Sequence, residues 1–256
     1  MEVRPHACIT GAARDRCAVP ASATVCDMPM KAEPGPQPRP DCCEPRDPRI
    51  ARHFDRKWRQ RADGEPLPPV HAVSQRLLDA LAVDVGEAAP SVLDLGCGGG
   101  ALIIGLLERG ATVATGVDLS AESLDEARRR ATEAGLAERT SFHVGDGAMV
   151  PLVPHDWVVL NRVLCCYPDL DRLLGNSVSA AHKRYAFSVP VSSGWRGLAN
   201  RLWVRLEDAT AMLRGRPCPG YVHDIRRIEA RLVDAGFRRT RSSVARLWYV
   251  AVFDRI

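Results

Sequence analysis

A chain of 256 residues, 46% hydrophobic and 26% charged, can bury one sizeable core and still carry an appendage. Its net charge of +4 comes from 35 basic residues set among 31 acids, spread along the chain rather than gathered into the stripe of a nucleic-acid binder. No apolar run approaches a membrane span and no charged-then-apolar leader opens the chain, so the expectation is a soluble, cytoplasmic protein with neither membrane nor nucleic acid as partner.

Nine cysteines are an odd number, and an intracellular setting argues against a disulfide framework. Cys8, Cys17 and Cys26 recur every nine residues without the His or Cys companions of a zinc site, so no metal is expected. The three lysines, Lys31, Lys57 and Lys183, among so many arginines read as codon bias.

Residues 1 to 48 hold nine of the nineteen prolines and lack a periodic apolar pattern, which predicts a disordered tail ahead of one domain over 49 to 256. Residues 50 to 61 are basic, with His53, Phe54 and Trp58 at helical spacing: either a solvated helix edge or a flap over a bound ligand. Leu77, Leu78, Leu81 and Val85 mark one face of a helix over 73 to 85, stopped by Gly86 to Pro90.

Val92 to Leu95 is then a short apolar strand broken by Asp94, and Gly96, Gly98 and Gly100 follow at every second position before a helical pattern from Ala101 to Leu107. Such a strand-to-helix loop lets backbone approach a ligand closely. A second strand, Val113 to Val117, ends at Asp118, an acid able to accept hydrogen bonds from both hydroxyls of a ribose. Residues Gly96 to Ala101 also satisfy the dinucleotide fingerprint. Asp94 separates the two ligand classes, because a carboxylate beside the loop suits an ammonium group and repels a pyrophosphate.

With Asp94, Gly96, Gly98 and Gly100 matching D/E-x-G-x-G-x-G, the stretch resembles the first motif of the class I S-adenosylmethionine (SAM) methyltransferases. The resemblance, over about 50 to 256, implies a Rossmann-like α/β fold. Its seven-stranded sheet is mostly parallel with one antiparallel strand, and helices cover both faces. It implies SAM as cofactor, with Asp94, Gly96, Cys97, Gly98 and Gly100 on the methionine portion and Asp118, with Leu119 beside it, on the ribose. After the third strand, Ser141 to Val144, it implies Asp146 on the adenine amine with Gly147 and Ala148 lining the ring.

Further along, Ser120 caps a helix to Ala134 that Gly135 stops. Trp157 to Leu160 is a fourth strand, and a doubly wound sheet puts ligands at the carboxyl ends of its strands, which turns Asn161 to Tyr167 toward the transferred methyl group. A helix over 169 to 183 and a strand over 185 to 191 follow. Residues 194 to 216 put Leu198, Leu202, Leu206, Ala209 and Leu213 on one helical face, with Trp195 and Trp203 beside it. They form either a helical cap over the acceptor, with Arg196, Arg201, Arg205 and Glu207 toward solvent, or a plain packing helix. A helix over 224 to 235 and two strands, 241 to 247 and 248 to 253, close the chain.

Transfer from a sulfonium needs alignment and exclusion of water more than acid–base groups. The candidates on the acceptor side are Asn161, which also borders the cofactor, Tyr167 and His223, a neutral imidazole able to take a proton, with Cys165, Cys166, Trp195 and Tyr221 beside them. Cys165-Cys166, with Cys42-Cys43, leaves open a metalloid or thiol acceptor, against their reading as small buried hydrophobes. Residues 160 to 169 together with 41 to 46 resemble an actinobacterial group of small methyltransferases, some labelled magnesium-protoporphyrin O-methyltransferase. No Asn-Pro-Pro-Tyr type sequence follows the fourth strand, which argues against methylation of DNA bases. The expectation is methyl transfer to a small apolar or aromatic acceptor, on oxygen for preference; a SAM-binding protein without catalysis is the rival from another class.

Overall fold

The computed structural model describes residues 48–59, 71–213 and 220–256. In chain order these form α1 (Pro48–Arg59), α2 (Ala72–Ala88), β1 (Ser91–Leu95), α3 (Ala101–Glu108), β2 (Val113–Asp118), α4 (Ala121–Glu133) and β3 (Thr140–Val144). Then come β4 (His155–Asn161), α5 (Leu170–Ser179), β5 (Ala181–Pro190), α6 (Gly194–Leu213), α7 (Ile225–Asp234), β6 (Phe237–Ala245) and β7 (Trp248–Arg255). The expected tail lies outside the described residues except for Pro48, as does Cys42-Cys43.

One sheet runs in the order β3-β2-β1-β4-β5-β7-β6. Strands β1 to β5 pair in parallel, and β7 is antiparallel to both β5 and β6. This is the Rossmann-like methyltransferase sheet that the resemblance implied. The chain reverses its progress across the sheet between β1 and β4, so a crevice opens at their carboxyl ends.

Side-chain alternation divides the core between the two faces. Leu93 and Leu95 of β1 and Val158 and Leu160 of β4 pack with α5 and α7, while Val92, Trp157 and Val159 pack with α2 and α3. Central strands buried on both faces read as nearly continuous apolar runs, which is why β1 and β4 stand out in the sequence. Helix α4 begins as its signals predict, with Ser120 Oγ accepting from the Ser123 amide at 3.1 Å.

Four boundaries or faces differ from the sequence reading. Helix α5 ends at Ser179, and 181 to 183 already belong to β5, where Ala181 pairs with His155 and Lys183 meets Asp156 at 2.8 Å; polar residues at a strand start imitate the charged end of a helix. Helix α2 runs through Gly86 to Ala88 before Ala89 (φ 39°) and Pro90 end it. Strand β6 starts at Phe237 rather than 241, its exposed arginines being edge-strand charges. The leucine stripe of α6 faces solvent; the face turned to the domain carries Gly197 and Asn200, whose Nδ2 donates to the carbonyls of Val191 and Leu247 at 2.9 Å.

Candidate functional site

A cavity of about 290 Å³ opens at the carboxyl ends of β1, β2 and β4 and the turn after β3, close to the lower limit of roughly 300 Å³ for ligand pockets. Its walls take Gly96 and Gly98 from the glycine loop, Asp118 and Leu119 from the end of β2, Gly145 to Gly147 from the next turn, and Asn161 to Val163, Cys166 and Tyr167 after β4. Ile50, Phe54 and Trp58 of α1 line it from outside the sheet.

The loop is held in shape by backbone and by Asp118. Gly96 and Cys97 both donate to the carbonyl of Val117, at 2.6 and 3.3 Å, and Gly98 donates to Oδ2 of Asp118 at 2.8 Å. Oδ1 of Asp118 accepts from the Ser120 amide at 2.9 Å. One carboxylate therefore joins the glycine loop to the start of α4, and burial raises it above the usual carboxylate range. Gly96 sits at φ 70°, and a Cβ there would come within 2.4 Å of Val163 Cγ2. No side chain fits that turn.

Asp94 stands on the side of β1 away from Leu93 and Leu95, buried at 2% exposure and outside the cavity lining. Its Oδ1 has no hydrogen-bond donor, and burial, then the charge of Asp118, hold the carboxyl well above its usual range. A buried carboxylate oxygen without a donor is costly, by roughly 1–3 kcal/mol or more, and a cationic group brought to the loop would relieve it. That chemistry fits the ammonium end of SAM.

Asp146 is also buried. Its Oδ1 accepts from the Ala148 amide at 2.9 Å and its Oδ2 from the Tyr167 hydroxyl at 3.0 Å. Burial, then the charge of Asp146, raise the Tyr167 phenol well above its ordinary range, so it remains a neutral donor. Asn161 is bonded at both ends of its amide: Nδ2 donates to Ser74 Oγ at 2.8 Å, and Oδ1 accepts from Ser188 Oγ at 2.9 Å. Ser188 in turn accepts from the Arg162 amide at 2.9 Å, where Arg162 holds a left-handed φ of 62°. His223 does not line the cavity. Its Nε2 meets the carbonyl of Tyr167 at 2.9 Å and its ring stacks on Tyr221 at 5.7 Å.

Among the other expected residues, Leu119 and Gly147 line the cavity, whereas Cys97 is buried behind the loop and Gly100 caps α3. The thiols of Cys165 and Cys166 are 3.8 Å apart, and Cys166 reaches the wall. The hydrogen bond with Cys166, then burial, hold the Cys165 thiol well above its usual range. No cluster of metal-ligating side chains occurs among the described residues.

Sequence reading left the purpose of α1 open and did not single out its partners. Asp55 accepts from Ser120 Oγ at 2.7 Å, Arg59 meets Glu122 at 3.5 Å, and a Cβ on Gly99 would touch the Trp58 ring at 2.6 Å. The Arg130 guanidinium lies over that ring at 5.9 Å. Helix α1 is thus seated on the glycine loop and the start of α4. Ser74, Ser188 and the strained Arg162 had no signal, since their importance arises only when α2, β4 and β5 meet.

Residues 92–182 match the sequence model of a family described as a methyltransferase domain. A ubiquinone biosynthesis O-methyltransferase from Azoarcus sp. is 44% identical over 68 residues, which is 27% of this chain and 29% of that protein. A ribosomal protein L11 methyltransferase from Stenotrophomonas maltophilia is 34% identical over 119 residues, 46% of this chain and 38% of that protein. The chain spans less than half the length of these curated relatives. A solved magnesium protoporphyrin IX methyltransferase from Synechocystis PCC 6803 with bound SAH superposes with a TM-score of 0.64 at 21% identity, covering 81% of this chain and 98% of that one. Residues 92–182 thus match a methyltransferase domain, and the chain has the fold of a solved methyltransferase that binds SAH.

Proposed function

We propose that this protein transfers a methyl group from SAM to an oxygen of a small apolar or aromatic acceptor. The observation that carries the reading is the convergence on one cavity of Asp118 and Asp146, from the ends of β2 and β3, with the donorless oxygen of Asp94 behind the loop that forms its floor. A dinucleotide pyrophosphate would meet Asp94 as a like charge. The ammonium group of SAM would meet it as a partner.

When bound, SAM supplies a methyl group already activated on sulfonium sulfur. Asp94 and the Gly96 to Gly98 backbone hold the methionine end, Asp118 the ribose hydroxyls, and Asp146 the adenine amine. Tyr167 keeps the Asp146 carboxylate oriented by its hydroxyl. The side chains of Ile50, Phe54 and Trp58 exclude water from the reacting atoms, which counts because an in-line displacement gains most from alignment and desolvation.

The acceptor class rests on the lining beyond the cofactor residues. Val163, Cys166 and Leu173 join the α1 aromatics to give a mostly apolar wall with few fixed charges, suited to an aromatic or quinone-like ring. The names of the Azoarcus and Synechocystis proteins support this chemistry, while that of the Stenotrophomonas protein points to a protein acceptor.

Calorimetric titration with SAM and with NAD tests the cofactor, and heat from NAD alone ends this reading. Phenolic, quinol and porphyrin carboxylate acceptors, set against arsenite, thiols and ribosomal protein, then test the acceptor by release of S-adenosylhomocysteine. Turnover confined to arsenite or thiols, and abolished by Cys166→Ser, would replace the apolar acceptor with a soft one. SAM binding with no turnover on any of them leaves the protein a SAM-binding module.

A further inference from the structure

Helix α6 carries an exposed apolar face that the methyl-transfer reading does not use. Trp195, Leu198, Leu202, Trp203, Leu206, Met212 and Leu213 are each more than half exposed, from 57% at Leu206 to 88% at Leu213. None of them lines the cavity. At roughly 150–250 Å² for an aromatic side chain, this group matches or exceeds the ~300–600 Å² of the largest patch on an ordinary monomer. It is comparable with the ~800 Å² that each partner contributes to a stable protein interface.

The spacing identifies the shape of the partner. Trp195, Ala199, Leu202, Leu206, Ala209 and Leu213 follow one another at intervals of four, three, four, three and four residues. That is the a/d pattern of a helix that packs along another helix, with large side chains at its centre and ends and a small alanine between them on each side, where a facing backbone can come close. The opposite side of α6 is already fixed to its own domain. Asn200 bonds the carbonyls of Val191 and Leu247, Arg201 donates to the Ser192 carbonyl at 2.7 Å, and Asp208 accepts from the Gly220 amide at 3.0 Å. The seam therefore points outward, away from the side bonded to the domain.

We propose that this seam is a homodimer interface, in which α6 of one protomer packs antiparallel against α6 of a second copy about a two-fold axis at the level of Val204. Antiparallel packing sets Leu202 against the partner's Leu206, Ala199 against the partner's Ala209 and Trp195 against the partner's Leu213. Every seam position thus meets a seam position, and the two alanines meet each other, as an isologous contact requires. The two helix dipoles oppose each other in this arrangement. A bilayer is the poorer occupant: a helix lying on anionic lipid carries a basic polar face, whereas in α6 Glu207 and Asp208 offset two of Arg196, Arg201 and Arg205. The inference is independent of the cofactor and acceptor assignments.

Sedimentation of the full chain tests it. The wild type is expected at twice 28.0 kDa in the low micromolar range, and Leu202→Lys and Leu206→Glu should each weaken dimerisation at least tenfold while keeping the wild-type circular-dichroism spectrum. Mixing the two variants should restore the dimer, because position 202 of one faces 206 of the other only in the antiparallel register. A wild type that stays at 28.0 kDa up to about 100 µM overturns the proposal, as does a dimer that either variant leaves intact or a mixture that does not re-form. Flotation of a monomeric wild type with phosphatidylglycerol vesicles would assign the face to a bilayer instead. Should either variant fail to fold, hydrogen exchange of wild-type α6 amides over a hundredfold dilution decides the matter. Protection independent of concentration overturns the dimer.

Discussion

The hydroxyl of Tyr167 donates to Oδ2 of Asp146 at 3.0 Å, while the Ala148 amide holds Oδ1 at 2.9 Å. A residue expected at the acceptor is thereby joined to the carboxylate expected at adenine. The raised phenol makes Tyr167 a durable donor and a poor base at neutral pH.

Tyr167→Phe should therefore weaken SAM binding by about 0.5–1.5 kcal/mol, the net worth of one hydrogen bond, with little change in kcat at saturating SAM. Calorimetry and steady-state rates check this. An unchanged SAM affinity with a collapsed kcat would return Tyr167 to the acceptor side.

For Asp94 the structure predicts opposed effects on stability and binding. The folded protein holds the proton of this carboxyl more tightly than the unfolded chain does. Its contribution is thus fully present below the unfolded pKa of about 3.9 and is lost as pH rises through the raised folded value. Asp94→Asn should raise the apo-protein melting temperature at neutral pH and flatten its decline with pH. It should also weaken SAM binding by roughly 1.5–3 kcal/mol, as for a hydrogen bond to a charged group. Thermal melts from pH 5 to 8 with SAM titration separate the two, and a lower apo melting temperature in the variant would refute the burial argument.

Most of the frame was legible because β1, β2 and β4 are buried on both faces and each ends at a glycine or a polar residue that marks the ligand edge. Asp118 could be found for the same reason. The second duties of these residues could not. Nothing local says that Asp118 also fixes Gly98 and Ser120, or that Asn161 spends its amide on Ser74 and Ser188, since the partners Gly98, Ser188 and Ser74 are 20 to 87 residues away. The α6 stripe misled in another way: periodicity identifies an apolar face but not what covers it, and here the domain is anchored by a glycine and an asparagine on the opposite side.

Helix α1 should govern how long the cofactor stays. Trp58 lies against Gly98 and Gly99, and Asp55 bonds Ser120. Because Trp58 is only partly buried, Trp58→Ala should cost less stability than the ~3–5 kcal/mol of a core aromatic truncation. It should nonetheless speed SAM dissociation about tenfold, equivalent to ~1.4 kcal/mol. Stopped-flow competition measures the rate, and Asp55→Ala should act in the same direction more weakly. A wild-type off-rate in both variants would reduce α1 to packing.

Magnitude decides whether His223 is a base or a fastening. Its Nε2 is 2.9 Å from the carbonyl of Tyr167, an acceptor only, so Nε2 carries the hydrogen and the ring fastens the segment before α7 to the turn containing Cys166 and Tyr167. The Tyr221 amide makes a second fastening, donating to the Cys165 carbonyl at 2.7 Å. A general base contributes typically 10²–10⁴-fold, whereas a fastening made twice loses little when one half is replaced by another donor. His223→Gln, which keeps an N–H for that carbonyl, should hold kcat within about threefold and leave the shape of the pH–rate profile unchanged, whereas His223→Ala should raise KM for the acceptor more than it lowers kcat. A hundredfold fall in kcat for the Gln variant, with loss of one limb of the profile, would instead make His223 the base that deprotonates the acceptor.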